Sequence, residues 1–351
     1  MIKVLIAEDS PSIAAMMREM LGRDPEIEVV GWAKTGREAV ELRDSLNPDV
    51  ITMDLNMPVM NGMEATKIIA STRPAPILVV SQLIESRESE LAFEALRCGA
   101  VDVMSKPSGG SPGGFSHIQE ELISRVKIVA RIRPMHRYDN SAAVPPGPTA
   151  VAAPAGEGVM VAIGASTGGP PALAAILKSL PPKLPVPIAI VQHIAPGFIM
   201  GFRQWLRRES AMPVKLATHE EPLAAGTVYL APDNHHLEIG RGMKLVLTDA
   251  PPIRGHHPSA DRLMESAAQV YGRRAIGVLL TGMGSDGAEG LKKLRDAGGR
   301  TIVQDEATSL VFGMPREAIL KGAAEIVSPL DKIADEIVRA IFQQIEETRP
   351  A

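Results

Sequence analysis

The stretch 133–157, RPMHRYDNSAAVPPGPTAVAAPAGE, constrains this chain more than any other part of it. It is rich in Ala, Pro and Gly and has almost no large apolar side chains. Such a segment cannot bury enough surface to offset the entropy of ordering it. A chain of 351 residues is also longer than one ordinary core supports. Two folded domains, 1–132 and 158–347, joined by a flexible tether over 133–157, are therefore expected.

Before the tether, the runs KVLIAED, EVVGWA, DVITMD, PILVVS and VDVMSKP alternate with helical patterns. Five buried strands with intervening helices predict a doubly wound parallel sheet. Functional groups in such sheets gather at the carboxyl ends of the strands. Those ends carry Glu8 and Asp9, Asp54, Ser81 and Lys106. Three convergent carboxylates repel one another unless a hard cation such as Mg²⁺ neutralises them, and a neighbouring lysine and hydroxyl can hold a phosphoryl group. Each residue also has a plainer reading. Ser10 and Pro11 can simply cap and open a helix, and single polar residues on a strand rim are ordinary.

The motifs AEDS, DLNMPVMNG, VVS and SKP resemble the response-regulator receiver domain over Ile2 to Arg131. The resemblance implies a flavodoxin-like fold in which Asp54 accepts phosphate from a histidine kinase. It also implies that Glu8, Asp9 and Asp54 bind Mg²⁺ and that Ser81 and Lys106 read the phosphoryl group. Receivers often carry an aromatic residue three positions before that lysine, where this chain has Val103, and often an Asp where it has Asn61.

After the tether, VMVAIGAS, PIAIVQH, AIGVLLTG and RTIVQDE again alternate with helical segments. GTVYLAP, HHLEIG and KLVLTD form a β-rich stretch between them. The second domain is therefore expected to be an α/β parallel sheet with an antiparallel β insertion. Its first strand runs into GASTGG, which admits three readings: a phosphate-cradling loop, a helix cap at Ser166 or Thr167, or a nucleophile at Ser166. The cradle is weak, because the glycine at the third position of the dinucleotide fingerprint G-x-G-x-x-G is replaced by Ser166 and the acid after the next strand is missing. A nucleophilic serine needs a base and a group to orient that base. His193 follows the next strand and Asp286 a later one, so all three fall at strand carboxyl ends on one crevice. Taken singly, His193 can be a strand-end histidine bonded to backbone, and Asp286 a first-turn acid at a helix N-terminus. The order Ser, His, Asp differs from the ordinary α/β-hydrolase order, which would need Asp233 or Asp249 with a later histidine. The pairs His235–His236 and His256–His257 are poor chelators, since adjacent strand residues face opposite ways.

IGASTGGP, VQHIAPGF, HHPSADRLM, LLTGMGSDGAEGLKKLRDAGG and TIVQDEATSLVFGMPREAI resemble the catalytic domain of the chemotaxis protein-glutamate methylesterases over Gly158 to Val338. The resemblance implies a serine esterase, without a cofactor in this domain, that hydrolyses glutamate methyl esters on the cytoplasmic helices of chemoreceptors. Many members also deamidate receptor glutamines. Ser166, His193 and Asp286 are the implied triad, and the backbone of Met283 an implied oxyanion donor. Arg254 or His256 would meet substrate at the cleft mouth. In that family the unphosphorylated receiver covers the catalytic cleft. The competing expectation is a phosphorylation-controlled binding module in a pathway other than chemotaxis.

Composition narrows the partners. A net charge of -4 with no basic cluster argues against nucleic acid, and no apolar run is long enough for membrane insertion. The start of the chain lacks a signal-peptide cleavage site, so a cytoplasmic location is expected. The single cysteine, Cys98, is expected to be a small buried hydrophobe at a helix end that Gly99 caps.

Overall fold

The computed structural model describes residues 1–81, 86–107, 114–132 and 158–348, and the chain forms two compact units. The expected tether, 133–157, lies outside the described residues.

In the first unit β1 (Ile2–Ala7), β2 (Ile27–Ala33), β3 (Val50–Met53), β4 (Ile77–Ser81) and β5 (Asp102–Ser105) form a parallel sheet. They alternate with α1 (Pro11–Gly22), α2 (Gly36–Leu46), α3 (Gly62–Thr72), α4 (Ser86–Arg97) and α5 (Gly114–Ala130). The strand order β2-β1-β3-β4-β5 is the flavodoxin order. Strands β3 and β4 are buried along their whole length, which is why VITM and ILVVS read as continuous apolar runs. The order reverses between β1 and β3, opening a crevice at their carboxyl ends. There the Asp54 amide donates to the Ala7 carbonyl at 2.9 Å, which sets Asp54 beside Glu8.

Local chemistry explains the boundaries of these helices. Ser10 and Pro11 open α1 as expected, but the Ser10 side chain makes no cap bond. Asn61 is the N-cap of α3 and accepts from the Glu64 amide at 2.9 Å, a role in which it serves as well as Asp. Gly99 follows α4 with φ of 112°. Cys98 is half-buried there, more exposed than expected.

The second unit contains β6 (Met160–Ala165), α6 (Gly169–Ser179), β7 (Ile188–Gln192), α7 (Ile199–Glu209), β8 (Val214–Leu216) and β9 (Val228–Leu230). There follow β10 (His236–Gly240), β11 (Lys244–Thr248), α8 (Ala260–Tyr271), β12 (Ala275–Leu279), α9 (Ala288–Asp296), β13 (Arg300–Gln304), α10 (Met314–Leu320), β14 (Ile326–Ser328) and α11 (Leu330–Thr348). Seven strands pair in parallel in the order β14-β13-β12-β6-β7-β9-β8. GTVYLAP thus contributes β9 to the main sheet. The antiparallel insertion is the single hairpin β10–β11, docked on α8 through a bond from the Ile239 amide to Ser266 Oγ at 2.9 Å. From β6 the sheet grows one way through β7 and the other way through β12. The switch point therefore lies at the carboxyl end of β6, immediately before Ser166. Among the described residues no helix is long and apolar enough to cross a membrane.

Candidate active site and phosphoacceptor pocket

Ser166 follows β6 without capping α6. The cap position is Gly168, with φ of 77° and no side-chain cap bond, so the helix-cap reading of Ser166 and Thr167 fails. The Ser166 amide donates to the Thr281 carbonyl beyond β12 at 3.1 Å, and the His193 amide donates to the Ala165 carbonyl at 2.9 Å. Strand ends on both sides of β6 are thereby drawn to the serine. Gly282 completes the approach: a Cβ there would stand 2.7 Å from the Ser166 Cβ, so only glycine lets this turn close on the serine. Met283 is the next residue of that turn, with its side chain half-exposed.

His193 Nε2 lies 2.8 Å from Asp286 Oδ2. A carboxylate only accepts, so Nε2 carries the proton and Nδ1 carries the lone pair. Nδ1 is buried and makes no hydrogen bond, leaving it uncommitted as a base. Asp286 precedes α9 but does not serve that helix's N-terminus. Its carboxylate instead receives the start of α8: Ser259 Oγ at 2.6 Å, the Ala260 amide at 2.6 Å and the Asp261 amide at 3.2 Å. Burial alone would raise the Asp286 pKa. The bond and charge of His193, with the donors at Ser259 and Ala260, outweigh burial and hold the carboxyl well below its usual range. An anion at a helix N-terminus is favourable for the same reason.

The face of the His193 ring is covered by His256, stacked at 4.0 Å between centroids and 4° between planes. Burial first, and then the charge of His193, push the His256 pKa down to about 4. Arg254 Nη1 donates to Ser285 Oγ at 3.0 Å, on the residue before Asp286. The other acids considered are engaged elsewhere. Asp233 accepts from the Gly197 amide at 2.7 Å, and Asp249 lies 3.3 Å from His235. His257 packs against His236, while His256 faces His193, so the paired histidines diverge.

In the first unit, donor oxygens of Glu8, Asp9 and Asp54 lie within 4.8 Å of one another. Lys106 Nζ sits 2.8 Å from Glu8 Oε2 and 2.9 Å from Asp54 Oδ2. The Lys106 amide donates to the Ser81 carbonyl at 2.9 Å, which brings β4 and the residue after β5 to the same edge. Burial raises the pKa of Glu8 and Asp54, Lys106 opposes it, and repulsion from a neighbouring carboxylate adds to it. Lys106 itself is lowered by burial but raised overall by its bonds to the two acids. Hard carboxylate oxygens with surplus negative charge suit Mg²⁺.

Sequence reasoning placed Ser166, His193, Asp286 and the receiver-pocket residues at strand ends but missed what holds them. Ser259, His256 and Gln192 stand inside quoted motifs, yet their bonds reach residues far away in the chain. Ser259 before an amphipathic run was a readable helix-start signal. Nothing local pointed from it to Asp286.

Residues 161–337 match the CheB methylesterase family, and residues 4–111 match the response regulator receiver domain. The protein-glutamate methylesterase/protein-glutamine glutaminase 4 of Geobacter metallireducens is 45% identical over 339 residues, 95% of this chain and 97% of its own. A protein-glutamate methylesterase/protein-glutamine glutaminase of Nitrosospira multiformis is 41% identical over 350 residues, 99% of each chain. The crystal structure of the Thermotoga maritima CheB methylesterase catalytic domain is similar with a TM-score of 0.51 and 38% identity, covering 52% of this chain and 98% of that one. An acidic receiver pocket followed by a serine, histidine and buried aspartate at one switch point agrees with both matches, and the chain belongs to the CheB methylesterase family, in the form that carries a receiver domain.

Proposed function

We propose that this protein is a phosphorylation-controlled protein-glutamate methylesterase and protein-glutamine glutaminase. Its substrates are the cytoplasmic helices of chemoreceptors, and it acts in the cytoplasm. The observation that carries the reading is the imidazole of His193, tied at Nε2 to a fully buried carboxylate and uncommitted at Nδ1. A module that only binds has no use for a fixed tautomer.

Ser166 Oγ attacks the γ-carbonyl of a methylated glutamate while His193 Nδ1 takes its proton. The tetrahedral adduct collapses to an acyl-enzyme, and the same proton leaves with methanol. Water repeats the sequence, forming the glutamate carboxylate and restoring Ser166. With a glutamine side chain the leaving group is ammonia. Asp286 holds the tautomer and stabilises the imidazolium. The Met283 amide, one residue beyond Gly282, is the proposed oxyanion donor.

In the receiver, Asp54 is the proposed phosphoacceptor for a histidine kinase. Glu8, Asp9 and Asp54 would hold Mg²⁺, which when bound offsets phosphoryl charge. Ser81 and Lys106 would engage the phosphoryl oxygens. The corresponding domain assignment is receiver 1–132, tether 133–157 and esterase 158–347.

Methanol release from methylated receptor membranes tests the esterase. Ser166→Ala is expected to lose at least about 10³-fold in rate with its fold intact. Undiminished release by that variant would overturn the assignment.

A further inference from the structure

Gln192 ends β7 and lies between the two residues that the proposed reaction uses. Its register partner across the sheet is Ala165, the residue before Ser166. Its amide nitrogen donates to the Ser166 carbonyl at 2.8 Å and to the His193 carbonyl at 2.8 Å. A side-chain amide nitrogen has two N–H groups, so these bonds use its whole donor capacity. The orientation of the amide is forced, because exchanging N and O would turn an acceptor toward two acceptors.

The other end of the amide is informative. Gln192 is 4% exposed, and its Oε1 is buried with no hydrogen-bond partner. Oε1 stands 2.0 Å from the point a Cβ on residue 169 would occupy, a space left open by Gly169. An unpaired buried acceptor is unfavourable, and an aliphatic side chain would fill the same volume without it. The two donated bonds are what the glutamine supplies and an aliphatic residue cannot.

We infer that Gln192 is a positioning residue whose single amide nitrogen ties the backbone of the nucleophile to the backbone of the base. The amide sides of Ser166 and His193 are already fixed, by the Thr281 and Ala165 carbonyls. Gln192 adds a bond at each carbonyl, beyond the last rung of the ladder between β6 and β7, and at Ser166 it joins the bond that the same carbonyl accepts from the Gly169 amide at 2.8 Å. With both sides held, the Cα atoms cannot drift as the serine changes from attacking group to ester. The inference rests on the proposed roles of Ser166 and His193.

The test uses the full chain carrying Gln192→Met, which keeps length and removes both donors, and Gln192→Glu, which replaces them with a carboxylate. Three quantities are measured: kcat and KM for methanol release, the rate at which a fluorophosphonate labels Ser166 across pH 6–9, and the melting temperature. Gln192→Met is expected to lower kcat and the labelling rate by about 10- to 100-fold, the scale of a misplaced reacting group. KM should stay within about twofold, and the shape of the pH profile should not change, because His193 keeps Asp286. Gln192→Glu should be the slower variant at pH 9 and gain on Gln192→Met as the pH falls, when a protonated carboxyl again offers a donor. Wild-type kcat in Gln192→Met would overturn the inference. So would a loss that disappears when the assay is run well below the melting temperature, since that marks packing alone. Wild-type protein that is labelled but releases no methanol would refute the esterase reading, while the labelling rates still decide the role of Gln192.

Discussion

His193 is held by Asp286 at ring Nε2, by His256 across the ring face and by Gln192 at its backbone carbonyl. Each contact removes a different freedom. Asp286 selects the tautomer, and the parallel His256 ring opposes rotation of the His193 ring out of the plane that aims Nδ1. With a pKa pushed down to about 4, His256 is neutral throughout the working range, so it adds no like charge when His193 becomes an imidazolium. Stacked aromatic pairs contribute about 0.5–1.5 kcal/mol beyond the area they bury. His256→Ala should therefore lower kcat about 3- to 10-fold, whereas His256→Phe, which keeps a flat neutral ring, should retain most of the activity. Methanol-release kinetics at pH 7–9 check this. Equal losses in the two variants would mean that the imidazole is needed for its nitrogens and not as a plate.

At the scale of elements, the N-terminus of α8 brings two acids together and moves their pKa values in opposite directions. Asp286 is held low, so the stability it contributes is present above its unfolded value and is lost only as the pH falls through its depressed folded value. Asp261 is pushed up to about 6, by burial and by the charge of Asp286, against the bond it accepts from the Gly290 amide at 2.7 Å. Its folded pKa exceeds its unfolded one, so the folded state binds the extra proton. Stability therefore falls as the pH rises from about 4 to about 6. Asp261→Asn keeps an acceptor for Gly290 and removes the charge. It should leave the melting temperature nearly unchanged at pH 4 and raise it at pH 8, by up to about 3 kcal/mol in stability. A variant less stable than wild type at pH 8 would instead show that Arg254, 3.8 Å from Asp261, outweighs the repulsion. This cradle also marks what a linear sequence can convey. Apolar runs bounded by glycine and polar residues revealed the main strands, and the strand-end rule then located Glu8, Asp54, Lys106, Ser166, His193 and Asp286. Direction was not encoded in the apolar pattern, so β9 read as antiparallel. Strands as short as β8 and β14 carry too few residues to show a period. Bonds such as Ser259 to Asp286 or Gln192 to Ser166 join residues 27 and 26 positions apart and leave no local trace.

For the whole molecule, the proposed function divides the labour between the two units: one holds the proposed phosphoacceptor pocket, the other the proposed nucleophile and base. The proposed regulation requires only that the unphosphorylated receiver restrict access to Ser166. As the proposed tether, 133–157 would keep the two units at high effective concentration, so a weak association would suffice to populate the restricted state. The energetics are modest. A tenfold activation needs phosphorylation to disfavour that state by about 1.4 kcal/mol. The pocket has the means to respond, because Lys106 pairs with both Glu8 and Asp54 before any phosphoryl group arrives. A phosphoryl group on Asp54 would add negative charge within reach of Nζ and compete for it. Adding phosphoramidate and Mg²⁺ to the full chain should therefore raise the rate of methanol release about 10-fold or more. Asp54→Ala should abolish the response while leaving basal turnover near that of the wild type. Asp9→Asn, which removes one proposed cation ligand, should shift the response to higher Mg²⁺ concentrations. An Asp54→Ala protein that still responds to the phosphodonor would remove Asp54 from its assigned role. A normal Mg²⁺ requirement in Asp9→Asn would remove Asp9 from the cation site and leave the phosphoacceptor assignment standing.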